Sequence, residues 1–67
     1  MKDLEKLYEE YYDRLYAFCL TLTRNTDDAE ELAAETFYRA VLNYRKFRGD
    51  SDVGTWLCSI ARNCLFT

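Results

Sequence analysis

At 67 residues, 49% apolar and 16% aromatic, the chain has the length for one domain with a small core and too many apolar residues for disorder. Its formal charge of −3 argues against indiscriminate phosphate binding, which draws on surplus Lys and Arg. Without histidine or a CxxC pair, and with three cysteines (Cys19, Cys58, Cys64), it offers neither zinc-ligand spacing nor a full disulfide framework.

No run approaches the roughly 18 apolar residues of a membrane span, and the acidic amphipathic start is no signal peptide. The expectation is a cytoplasmic chain without membrane insertion, its thiols being core or boundary residues in a reducing compartment. Proline is absent and only Gly49 and Gly54 interrupt, so the chain reads as mostly helical.

Residues 3–23 form the first predicted helix. Leu4, Leu7, Tyr8, Tyr11, Leu15, Phe18 and Leu22 recur every three or four positions as one apolar stripe, widened on one side by Tyr12, Tyr16 and Cys19. Arg24 to Asp28 breaks the pattern. Asn25 is a candidate N-cap for a second helix over about Thr26 to Tyr44, with Asp27, Asp28, Glu30 and Glu31 in its first turns, where the positive end of the dipole favours acids. Its predicted buried face is Ala29, Leu32, Ala33, Thr36, Phe37, Ala40, Val41 and Tyr44.

Phe47 to Asp52 is rich in loop-forming residues, and Ser51 or Asp52 is placed to cap a third helix. The apolar positions of that helix are Val53, Trp56, Leu57, Ile60, Ala61, Cys64 and Leu65. It shows no stop signal before Thr67, which reads as a piece of a longer protein cut within the helix. The whole, residues 1–67, is expected to be one all-α domain: a three-helix bundle in which an antiparallel helix pair has the third helix packed across it.

Charge is unevenly distributed. Residues 1–35 carry ten acids against four bases, whereas residues 36–67 carry two acids against five bases. One end suits a basic partner and the other an anion. Asp28, Glu31 and Glu35, spaced by three and four, fall on one flank of the second helix away from its apolar face. Taken alone, the acids read first as a solvated surface and Trp56 first as a core residue, the 47–52 loop also fits a capping turn that leaves Phe47-Arg48 unaccounted for, and Arg62 and Asn63 also fit plain solvent exposure. No histidine, metal spacing or glycine-rich phosphate loop points to an enzyme or a cofactor.

Three strings carry a resemblance. Leu7-Tyr8-Glu9-Glu10-Tyr11-Tyr12-Asp13-Arg14-Leu15-Tyr16 is similar to the opening helix of the extracytoplasmic-function (ECF) sigma factors. Asp28-Ala29-Glu30-Glu31-Leu32-Ala33-Ala34-Glu35-Thr36-Phe37-Tyr38-Arg39-Ala40 resembles their polymerase-binding helix. Phe47-Arg48-Gly49-Asp50-Ser51, followed by Thr55-Trp56-Leu57 and Ile60-Ala61-Arg62-Asn63, resembles their promoter-reading loop and helix.

The resemblance implies sigma region 2, a domain that binds core RNA polymerase and recognises and melts the promoter −10 element by capturing an unstacked non-template base. It implies polymerase contacts, to the coiled coil of the largest subunit, at Asp28, Glu31, Leu32, Glu35 and Arg39. It implies contacts to single-stranded DNA at Phe47, Arg48, Gly49, Asp50, Ser51, Trp56, Arg62 and Asn63, and an anti-sigma factor as a further partner. The linker and second DNA-binding domain (region 4) of full-length members are absent from these residues.

The chain departs from the family pattern at Ala34, where Gln is usual, at Glu31 for Asp, and at Ser59 for Arg. The basic run that commonly follows Asn63 is missing. These departures leave room for an alternative, a sigma-like helical interaction module that does not open promoters.

Overall fold

The computed structural model describes residues 2–44, 47 and 52–66, with side chains from residue 5 onward. Within these residues the chain forms three helices: α1 (Lys2–Thr23), α2 (Thr26–Asn43) and α3 (Val53–Phe66). The bundle is all-α, as expected.

The α1–α2 turn is built by two residues. Arg24 takes the left-handed conformation (φ 56°), and its N–H donates to the Leu20 carbonyl at 2.7 Å, closing the end of α1. Asn25 is extended (φ −148°, ψ 126°), and its Oδ1 accepts from the Asp28 N–H at 2.9 Å, so the expected N-cap is formed. At its far end α2 stops one residue short of the expected boundary, with Tyr44 as C-cap. The cap of α3 is Asp52, whose Oδ2 accepts from the Thr55 N–H at 3.2 Å. Ser51, the other candidate, lies outside the described residues.

α2 is the central helix. It packs on both neighbours, and α1 and α3 also touch each other. Ala29, Ala33 and Ala40 are fully buried, and their small side chains let the flanking helices come close. Leu15 and Cys19 of α1 and Leu57 and Ala61 of α3 meet them. Full burial of a leucine contributes about 1.5–3 kcal/mol, so Leu15 and Leu57 weigh heavily in so small a core. Buried Thr36 satisfies its hydroxyl by donating to the Leu32 carbonyl one turn back, at 2.7 Å.

The buried face of α2 from Ala29 to Ala40 is the expected one, and the apolar stripe of α1 is rotated slightly from the expected one. Periodicity puts Tyr8 in the core, but it is 49% exposed, and it puts Cys19 at the margin, but it is fully buried. The cause is the row of tyrosines at intervals of four. Tyr8, Tyr12 and Tyr16 share one flank of α1, with ring centroids 5.0 and 6.1 Å apart. Tyr8 and Tyr12 lean on Phe37 of α2. The row Leu15–Cys19 faces inward instead. Val41 and Tyr44 were expected to be buried and are exposed, because they lie one turn beyond Phe37 and Ala40, α2's last buried positions. Leu65, near the end of α3, is likewise 40% exposed.

Two candidate clefts between the second and third helices

α2 and α3 run in opposite directions, so each end of their interface pairs the start of one helix with the end of the other. At the start of α2 lies an open groove of about 570 Å³. Its floor is apolar, made by Leu22, Leu32 and Leu65 beside Cys64, and its rim carries Asp28, Glu31 and Glu35. Four of the five residues expected to bind polymerase therefore converge. Leu32 is at once a core residue and the floor of this groove.

The fifth, Arg39, does not line the groove. Its Nε donates to Glu35 Oε2 at 3.0 Å, one turn back along α2, and its side chain forms a wall of the second cleft. Next to the acidic rim, Tyr38, Val41 and Leu42 are exposed by 61%, 42% and 63%. The site residues inferred from sequence omitted all three. Tyr38 and Leu42 did carry a signal: a large apolar pair at i, i+4 that belongs to no buried stripe.

The second cleft, about 230 Å³, lies between Arg39 and Asn43 of α2 and Trp56, Ile60 and Asn63 of α3. Asn43 anchors its side-chain amide by donating Nδ2 to the Arg39 carbonyl at 2.9 Å. Trp56 is half-buried and packed among aromatic rings, with Phe47 at 4.7 Å and Tyr44 at 6.3 Å between centroids. Trp56 and Asn63, both expected to touch DNA, thus share one cleft, with Phe47 against the tryptophan.

Arg62 lines a neighbouring open depression of about 320 Å³ with Ser59, Phe66 and Asn63, the last shared with the second cleft. Arg48, Gly49, Asp50 and Ser51, the remaining expected DNA contacts, lie outside the described residues. Sequence reasoning missed Asn43 as a cleft residue, because its position opposite Trp56 depends on how α2 and α3 are aligned.

Asp52, just before α3, is tied to α1. There Arg14 of α1 pairs with Asp52 Oδ2 at 2.9 Å. That hydrogen bond, together with the Thr55 N–H, holds the Asp52 carboxyl below its ordinary range. The cysteines behave as packing residues. All three are free, and burial pushes the Cys19 thiol up to about 11, with the Cys58 and Cys64 thiols adding in the same direction. Among the described residues no three His, Cys, Asp or Glu side chains are grouped to hold a metal ion, and no helix is long and apolar enough to cross a membrane.

Residues 7–66 match the profile of the family described as Sigma-70 region 2. The chain is 35% identical over 60 residues to the RNA polymerase sigma factor YlaC of Bacillus subtilis, covering 90% of this chain and 35% of the relative. It is 37% identical over 57 residues to the ECF RNA polymerase sigma factor SigX of the same organism, covering 85% and 29%. With the ECF RNA polymerase sigma factor SigG of Mycobacterium tuberculosis it shares 42% over 59 residues, covering 88% and 16%. The chain thus spans about a third or less of the length of these relatives. No solved structure gives a significant match.

Proposed function

Because the chain belongs to the Sigma-70 region 2 family, we propose that it is the part of a transcription initiation factor that joins core RNA polymerase to the promoter. The acidic groove and the apolar residues beside it take the polymerase, and the aromatic cleft takes a base of the non-template −10 strand. The observation that carries this reading is the second cleft, where an indole, a guanidinium and two carboxamides converge in about 230 Å³. That volume lies below the roughly 300–1,000 Å³ of sites for drug-sized ligands and suits a single heterocycle.

An extruded base needs a stacking surface and hydrogen-bonding groups at its edge. Trp56 supplies the first. Asn43 and Asn63 supply the second, and Arg39 adds a cation for the strand's phosphate or for stacking. Stacking on an aromatic side chain contributes about 1–3 kcal/mol per base. The duplex must already be open at that point, and polymerase brings about the opening together with this capture.

At the other cleft, Asp28, Glu31 and Glu35 steer a basic helical partner and set its register, as surface charges do more readily than they supply affinity. Affinity comes from covering the exposed apolar surface of Tyr38 and Leu42. The same surface is the docking face for an anti-sigma factor, which then excludes polymerase.

The test is binding of −10-like single-stranded oligonucleotides and of permuted sequences to the chain. Trp56 is the sole tryptophan, so its emission reports occupancy directly. The expected outcome is sequence-dependent binding with altered Trp56 emission, weakened about tenfold by Asn63→Ala, the scale of one lost base-edge contact. Equal binding to every sequence, with polymerase binding retained, replaces this reading with that of an interaction module favoured by the exposed Tyr38–Leu42 pair.

A further inference from the structure

We infer that Arg14 is a positioning residue for base capture: by pairing with Asp52 over the bare backbone at Gly54, it fixes the first turn of α3 and with it the placement of Trp56. The inference rests on the base-capture reading above and extends it to a residue on α1, the helix that lines no part of the aromatic cleft.

Three observations converge on this clasp. The first is distance along the chain. Arg14 and Asp52 are 38 residues apart and sit on different segments, unlike the other described ion pair, which joins Glu35 and Arg39 within one helix. The second is what Asp52 does besides pairing. Its carboxylate caps α3 through the Thr55 N–H, and its carbonyl accepts from the Trp56 N–H at 3.0 Å. A shift of Asp52 therefore passes directly into the turn that carries the indole. Phe47, which also lies between α2 and α3 in the chain, packs on that same indole.

The third is Gly54. Glycine inside a helix costs about 1 kcal/mol relative to alanine, and nothing in the backbone requires it here, since Gly54 is buried in the first turn of α3 with no left-handed φ. A Cβ at this position would collide with the Arg14 guanidinium. The glycine thus makes the room in which Arg14 crosses the start of α3 to reach Asp52. The depressed Asp52 carboxyl accords with a standing interaction.

The experiment compares Arg14→Ala, Arg14→Lys, Asp52→Asn and Gly54→Ala in the full chain, with three readouts: affinity for a −10-like oligonucleotide, affinity for core polymerase, and thermal midpoint. Both partners of the pair are about half exposed, so the effect is modest, about three- to fivefold, the range of an exposed ion pair. Arg14→Ala and Asp52→Asn weaken oligonucleotide binding by that factor, their combination weakens it no further, and Arg14→Lys restores part of it. Asn remains a good N-cap, and the oxygen that caps α3 is also the one that accepts from Arg14, so Asp52→Asn removes the charge of the pair without uncapping α3.

Gly54→Ala is the discriminating variant. It improves helix propensity, so the thermal midpoint holds or rises, yet it displaces the guanidinium and weakens oligonucleotide binding. Polymerase affinity stays within twofold throughout. In Arg14→Ala the Asp52 carboxyl, followed by NMR, titrates nearer its ordinary value. If the unaltered chain discriminates −10-like sequences while Arg14→Ala and Gly54→Ala bind as tightly as it does, base capture stands and the positioning role is overturned. A parallel fall of both affinities with the thermal midpoint also overturns it, leaving Arg14 as structural support. No discrimination by the unaltered chain removes the base-capture reading and this inference together.

Discussion

The two clefts are made by the same two helices and differ in almost every property. The groove at the start of α2 is wide, floored by leucines and rimmed by carboxylates, whereas the cleft at the end of α2 has less than half the volume and is lined by an indole, two carboxamides and a guanidinium. The change happens within one turn of α2: Glu35 faces the first and Arg39 the second, and the two are joined by an ion pair. A single helix can serve a basic protein partner and an anionic strand if its charge reverses along its length. The chain's acidic total conceals this reversal, and the split of charges between residues 1–35 and 36–67 reveals it.

If the clefts are distinct sites on one scaffold, a change in the scaffold must abolish both, while changes in each lining must separate them. The largest effect is expected for Leu57→Ala. Leu57 is fully buried in α3, and its truncation costs about 2–5 kcal/mol, a large part of the stability of so small a domain. Circular dichroism and thermal melting should show the bundle largely unfolded at 37 °C, with oligonucleotide and polymerase binding lost together.

Next in size come the separating changes. Trp56→Ala removes the stacking surface and should weaken oligonucleotide binding by about 1–3 kcal/mol, leaving polymerase affinity within twofold. Glu31→Lys combined with Leu42→Ala should do the reverse, since Glu31 is exposed on the acidic rim and Leu42 is 63% exposed beyond it. Polymerase binding falls at least tenfold through slower association and lost apolar contact, and oligonucleotide binding is kept. Parallel losses in both assays for either variant would merge the two clefts into one site.

How far the sequence revealed this arrangement depends on the range of the signal. The Asn25 cap, the acids of the first turn and the run from Ala29 to Ala40 are local, and periodicity or capping chemistry identifies each. Asp28, Glu31 and Glu35 were legible as a ridge for the same reason. Val41, Tyr44 and Tyr8 were not legible as surface residues, because an apolar residue on a stripe gives no sign of where the covering helix ends. The aromatic cleft was half legible. Trp56 and Asn63 lie on one helix at i, i+7, but Arg39 and Asn43 join them only through the alignment of α2 against α3. The Arg14–Asp52 pair spans 38 residues and left only one trace in the sequence, a glycine early in a predicted helix where no turn was needed.

The smallest expected effect tests how independent the two clefts are. Glu35 and Arg39 are each about half exposed, and an exposed i, i+4 ion pair is among the weakest of interactions. Replacing Glu35 with Gln frees Arg39 from its carboxylate without moving α2. Oligonucleotide binding should then rise by no more than about twofold, because the guanidinium no longer divides its charge between a glutamate and a phosphate, and the gain should shrink as salt screens both interactions. Polymerase binding should fall by a similar factor, since one rim carboxylate is gone. A much larger gain in oligonucleotide affinity cannot come from so weak a pair. It would mean that Glu35 holds the aromatic cleft closed by another route, and that occupancy of one cleft governs the other.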